Sequence, residues 1–133
     1  EITFHKCKSS EAFQGFLTKE VQFDFILIDG SHKIKYVTQD LRWARFLRQG
    51  GVLCLHDFST RHPGVYLSVK RFLKKYPNFQ VKSHVESMLI LEKKYKSTTL
   101  EITSADLIWS MAMTPFLQLK KSWTKRIKKF LKN

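Results

Sequence analysis

The chain has 133 residues, of which 43% are hydrophobic and 26% charged, and a net charge of +13. That size fits one domain with a modest core, and that composition excludes disordered, collagen-like and disulfide-framed classes. No apolar run approaches the roughly 20 residues that cross a bilayer, and the first residues lack the basic patch and apolar core of a secretory leader.

In chain order, 2-ITFHKC-7 reads as a short strand, and 9-SSEAFQGFLTK-19 as a helix with Phe13, Phe16 and Leu17 at helical spacing. The segment 23-FDFILID-29 has little polar alternation, which predicts a strand buried on both faces, as in a parallel sheet. Residues 35–49 place Val37, Leu41 and Ala44 on one helical stripe, and Gly50-Gly51 reads as the glycine cap that ends it. A second buried strand, 52-VLCLHDF-58, follows, then the loop 59-STRHPG-64 and a helix over 65–76 with Val65, Val69, Phe72 and Leu73 inward. Two strands, 79-FQVKSHV-85 and 88-MLILEKK-94, are joined too tightly for a crossover and must pair antiparallel. Cys7 and Cys54 sit in strand-like contexts and read as buried thiols of a reducing compartment.

This order predicts an α/β fold: a partial, Rossmann-like, doubly wound and mostly parallel sheet with a C-terminal antiparallel pair. Residues 96–114 read as a linker. Thr114-Pro115 looks like the start of a final helix, with Leu119, Trp123, Ile127 and Phe130 on one face. Residues 115–133 hold seven Lys and Arg and no acid, so much of the net charge belongs to this basic amphipathic tail.

Ligands of open parallel sheets bind beyond the carboxyl ends of the strands. One strand here exits into Asp29, Gly30 and His32, and the next into His56 and Asp57. Consecutive strands joined by a right-handed crossover are usually neighbours, so the four ionisable groups converge on one crevice. Asp29-Gly30 also reads as an ordinary turn dipeptide. His5, His62 and His84 read as surface or half-buried side chains.

The run FDFILIDGSHKIKYVTQDLRWARFLRQGGVLCLHDF, with its IDGxH, GGV and strand-ending HD, resembles the second half of class I S-adenosylmethionine-dependent methyltransferases. It is closest to the small-molecule and sugar O-methyltransferase branch. The segments 63-PGV-65 and 88-MLILEK-93 fit as well, and the likeness covers about residues 2–94. The resemblance implies a partial methyltransferase domain over 1–95 that transfers a methyl group to a hydroxyl of a small acceptor. It implies His32 as the general base, Asp29 and Asp57 as ligands of a divalent cation such as magnesium, and Asp29, Gly30 and Ser9 as contacts of S-adenosylmethionine. His56 falls where metal-dependent relatives place another carboxylate. Imidazole can ligate a metal but favours softer ions than magnesium.

None of the five glycines forms a GxGxG after a first strand. The expectation is therefore a portion of a longer protein that by itself is inactive and binds S-adenosylmethionine poorly. Two other classes stay open: a metal-dependent hydrolase or hydroxylase built from Asp29, His32, His56 and Asp57, and a non-catalytic module that binds a membrane or partner through the basic tail. An anionic bilayer suits that tail, whereas no RNA or DNA motif accompanies its lysines. An uncovered sheet edge at residues 2–7 invites oligomerisation. The expected location is the cytoplasm, with peripheral membrane contact.

Overall fold

The computed structural model describes residues 2–95 and 102–130, with the side chains of the last helix described as far as Leu119. The elements are α1 (Ser9–Phe16), β1 (Phe23–Ile28), α2 (Ile34–Asp40), a 3-10 turn (Leu41–Phe46), β2 (Leu47–Leu55), α3 (Pro63–Lys75), β3 (Phe79–Val85), β4 (Met88–Lys93) and α4 (Ser104–Phe130). They form an α/β fold around one four-stranded sheet of order β1-β2-β4-β3. Among the described residues no helix is long and apolar enough to cross a membrane.

Strands β1, β2 and β3 run the same way and β4 is reversed between β2 and β3, so the sheet is mixed and carries the expected C-terminal antiparallel pair. β1 and β2 pair parallel and are joined through α2, whereas β2–β4 and β3–β4 pair antiparallel, so β3, reached from β2 through α3, shares the direction of β1 and β2. The two-residue link Glu86-Ser87 forces the last reversal, with Glu86 at a φ of +52°.

Leu53, Leu55, Leu89 and Leu91 line one face of the sheet and are almost wholly buried against Val37, Leu41, Ala44, Val65, Val69 and Phe72. Each such side chain contributes about 1.5–3 kcal/mol through removal from water. On β1, Ile26 and Ile28 turn to this core, whereas Phe25 and Leu27 point the other way and are 56% and 51% exposed. The expected burial of β1 on both faces therefore fails. Helices α2 and α3 cover one face only, so the described residues are not doubly wound.

Residues 2–7 form no strand. No described strand lies beside them to complete a ladder, and Ile2 and Phe4 stay exposed. Cys7 is exposed for the same reason, while Cys54 is buried and its thiol pushed up by that burial.

The helix read over 35–49 stops earlier. After α2 and the 3-10 turn the chain enters β2 at Leu47, which pairs with Phe23, and the next pair is Phe25 with Val52. Residues 48–51 thus stand opposite Asp24 alone, as a bulge in which Gly50 takes a φ of +75°. Gly51 is forced by packing there, since an added Cβ would lie 2.8 Å from Leu47 Cγ and 2.9 Å from the Arg48 carbonyl oxygen. The glycine pair shapes a strand entry, not a helix cap.

Helix α4 begins at Ser104, ten residues before Thr114-Pro115, and Pro115 lies inside it. Its start is closed by Asp106, which accepts from the Thr103 amide at 3.0 Å and from the Thr103 hydroxyl at 3.0 Å. Asp106 is buried and also accepts from Arg71 Nε at 3.0 Å and from Lys75 Nζ, which fastens α4 to α3. The side chains that would make residues 120–133 a basic amphipathic surface lie outside the described residues.

Candidate active site

The site stands beyond the carboxyl ends of β1 and β2. The His56 amide donates to the Ile28 carbonyl at 3.1 Å, extending the parallel ladder one residue past the strands. That bond sets Asp29 beside His56. Asp57 then leaves the sheet with a φ of +57°, a left-handed conformation rare outside glycine and better tolerated by Asp and Asn than by most residues. The turn carries its carboxylate back over the strand ends.

His32 Nε2 lies 2.7 Å from Asp57 Oδ2. His56 Nδ1 lies 3.2 Å from the same oxygen and 3.3 Å from Asp29 Oδ1. It is buried, yet is aligned for a hydrogen bond with neither carboxylate. The structure thus brings Asp29, His32, His56 and Asp57 together, as the spacing predicted. The Asp29 and Asp57 carboxylates share His56 between them and do not lie on opposite edges of the sheet.

His62 joins them. Its Nε2 is 3.8 Å from Asp57 Oδ1, and its ring lies tilted by 50° against His32 with centroids 4.3 Å apart. Sequence reasoning set His62 aside as a surface or half-buried histidine. It is half-buried, but the one signal of its position is the following Pro63-Gly64. Pro63 opens α3, and Gly64 lets that helix approach the His32 loop so closely that an added Cβ would collide with the His32 carbonyl oxygen and sit 2.8 Å from the Ile34 amide.

Burial alone would raise the Asp57 carboxyl. The close contacts with His56 and His32, and the charges of His56 and His62, outweigh it and hold the group below the usual carboxylate range. Asp57 is therefore an anion at neutral pH and a natural partner for cations. Two sets of three donors lie within 4.8 Å of one another: Asp29, His56 and Asp57, and His32, Asp57 and His62.

Ser9 stands in a different polar group. Its hydroxyl accepts from Trp43 Nε1 at 2.9 Å and also meets Asp40. Burial raises the Asp40 carboxyl against the opposing pull of Ser9 and of Arg42. Asp40 in turn lies under Gly30, where an added Cβ would be 3.5 Å from Asp40 Oδ2. Ser9 and Gly30 thus flank the Asp40 carboxylate, and Gly30 also lines the depression that holds His32 and His56. The depression between the strand ends, lined by Ile28, Asp29, His32, Leu55, His56 and Val65, encloses about 240 Å³ including the solvent at its mouth. Most of that is open space, and the enclosed room is about that of one water molecule.

Residues 1–58 match the family model described as a methyltransferase domain. That segment, less than half of the chain, is similar to a methyltransferase domain. It runs from α1 through both strand exits and ends one residue after Asp57, so the matched segment contains Ser9, Asp29, Gly30, His32, His56 and Asp57. No curated protein matches the chain.

Proposed function

We propose that this methyltransferase segment serves S-adenosylmethionine-dependent O-methylation of a sugar or another small hydroxyl-bearing metabolite, with His32 as the general base. The observation that carries the reading is the 2.7 Å contact between His32 Nε2 and Asp57 Oδ2. An anionic Asp57 at that distance holds the proton on Nε2 and leaves the lone pair on Nδ1. An acceptor alcohol has a pKa far above 7 and needs such a base to become a useful nucleophile. Asp57 also stabilises the imidazolium that forms when Nδ1 takes the proton.

The residues present fit one end of the methyl donor. Gly30 leaves the main chain uncovered at the exit of β1, and Ser9 contacts the same Asp40 that underlies Gly30. When bound, S-adenosylmethionine supplies a methyl group on a positively charged sulfur. Asp29 and Asp57 place negative charge at the strand exits, where that positive centre is favoured.

A divalent cation fits Asp29, His56 and Asp57. His56 Nδ1 is a buried nitrogen without a hydrogen-bond partner, set between two carboxylate oxygens, and a metal would use its lone pair. It would supply positive charge beside the acceptor oxygen. One imidazole with two carboxylates suits manganese or zinc better than magnesium.

The test is transfer of labelled methyl from S-adenosylmethionine to a panel of sugars and small alcohols, in the whole chain and in His32→Ala. Loss of about 10²–10⁴-fold on substitution is expected. Measurable and equal transfer by both proteins sinks the assignment, whereas weak donor binding by this chain is what its lack of a GxGxG turn predicts. The second donor set, two histidines and one carboxylate from His32, Asp57 and His62, favours a metal-dependent hydrolase or hydroxylase instead. Tight metal binding that survives His56→Ala, with no donor binding, selects that alternative.

A further inference from the structure

Helix α4 carries a second apolar face that remains exposed among the described residues. Its inner side, with Asp106 and Ser110 buried, lies on the domain. Its outer side shows Ile108, Met111, Phe116 and Leu119, each between 51% and 63% exposed. From Leu107 to Leu119 there is no charged residue. The two hydroxyls in this stretch are bonded within the helix: Ser110 Oγ donates to the Leu107 carbonyl at 2.7 Å, and Thr114 Oγ1 to the Ser110 carbonyl at 2.8 Å. Hydroxyls satisfied in this way tolerate removal from water.

Such a face is costly to leave in solvent, and charge selects what covers it. Immediately after Leu119 the sequence turns basic, from Lys120 to Lys132, without one acid, and the helical backbone continues to Phe130. A second copy docked on this face would set its own acid-free basic run from Lys120 to Lys132 against the first, which disfavours pairing here. An anionic lipid surface offers what both parts require, acyl chains for the stripe and negative headgroups for the lysines. The uncharged stretch is about 20 Å long at the helical rise, short of the roughly 30 Å hydrocarbon core, so it lies along the interface and does not span.

We propose that the outer face of α4 seats the domain on an anionic bilayer, with Ile108, Met111, Phe116 and Leu119 among the acyl chains and the basic run at the headgroups. The surface is separate from the strand-exit site and independent of its chemistry.

The experiment is vesicle co-sedimentation of the whole chain, with phosphatidylcholine alone and with about 30% phosphatidylserine. Binding to the anionic vesicles at least about tenfold tighter than to the neutral ones, and weakened by salt, is expected. The pair Phe116→Asp/Leu119→Asp and the pair Lys120→Glu/Lys121→Glu should each weaken it by at least about tenfold, while Val81→Asp, equally exposed on β3, should change it less than about twofold. Circular dichroism checks that each variant folds, and the charge-reversal pair carries the test if the first does not. Wild-type indifference to lipid charge, or full binding by both paired variants, overturns the proposal. So does a dimer that Phe116→Asp/Leu119→Asp converts to monomer with vesicle binding unchanged.

Discussion

Asp57 Oδ2 meets His32 Nε2 at 2.7 Å across the gap between two strand exits, and Asp57 reaches that point only from a backbone φ of +57°. Conformation and chemistry can therefore be separated at this residue. Asn tolerates the left-handed region, so Asp57→Asn should unfold in urea near the wild-type midpoint while methyl transfer falls by about 100-fold or more, because the amide no longer fixes the His32 tautomer. Asp57→Ala should lose the same activity and, in addition, about 1–2 kcal/mol of stability from the strained backbone. An Asn variant with wild-type transfer would remove Asp57 from the machinery.

The contact between Gly64 and the His32 loop gives a second expectation. A methyl group at position 64 has backbone on two sides, the His32 carbonyl and the Ile34 amide, and neither can swing aside like a flexible side chain. Gly64→Ala should cost about 1–3 kcal/mol in urea unfolding. It should also lower turnover, since the shift displaces His32 and His62 together. Gly15 has open space around the equivalent position. Gly15→Ala in α1 should instead be neutral or stabilise by up to about 1 kcal/mol, and a loss there as large as at Gly64 would refute the steric account.

The junction between α4 and α3 predicts an acid-sensitive stability. Burial raises the Asp106 carboxyl, but the bonds from Lys75, from the Thr103 amide and hydroxyl, and from Arg71 outweigh it, so the folded value lies below the ordinary 3.8. The folded state then binds this proton less readily than the unfolded state. Its contribution is fully present above the ordinary value and is lost as pH falls through the lowered one. Asp57 has the same sign. Unfolding free energies measured down the acid limb should fall less steeply in Asp106→Asn than in the wild type. At neutral pH that variant should be weaker by about 1–3 kcal/mol, a modest figure because Arg71 and Lys75 are more than a third exposed. Parallel pH profiles for the two proteins would show that the carboxylate is not a source of the acid sensitivity.

The strand exits were legible because the signal was local. An apolar run that stops at an acid and a glycine marks where a strand leaves the core, and two such exits in consecutive strands are adjacent by topology. Hence Asp29, His32, His56 and Asp57 could be grouped before any coordinates. His62 could not, since its place depends on how closely α3 approaches the His32 loop, a tertiary fact written only as the missing Cβ of Gly64. The start of α4 is written in 103-TSAD-106, whose acid closes onto Thr103, whereas Thr114-Pro115 reads as a helix start but lies inside the helix. The bulge at residues 48–51 was hidden because a glycine pair after a helical stripe reads equally well as a cap. Neither α1 nor the two C-terminal strands misled, since each is bounded by its own start or stop residues.

The open side of the sheet gives the last prediction. Phe25 and Leu27 project from β1, which is also the sheet edge, and among the described residues no strand pairs with its outer side. An apolar edge strand with one bare face is a template for association. The edge expected at residues 2–7 thus lies at β1 instead. Because neither side chain belongs to the packed core, Phe25→Thr/Leu27→Thr should change unfolding free energy by less than about 0.5 kcal/mol, and threonine suits the strand. Light scattering at rising protein concentration should show less association for the double variant than for the wild type. A stability loss of more than about 2 kcal/mol would mean that both side chains are packed in solution and the face is covered.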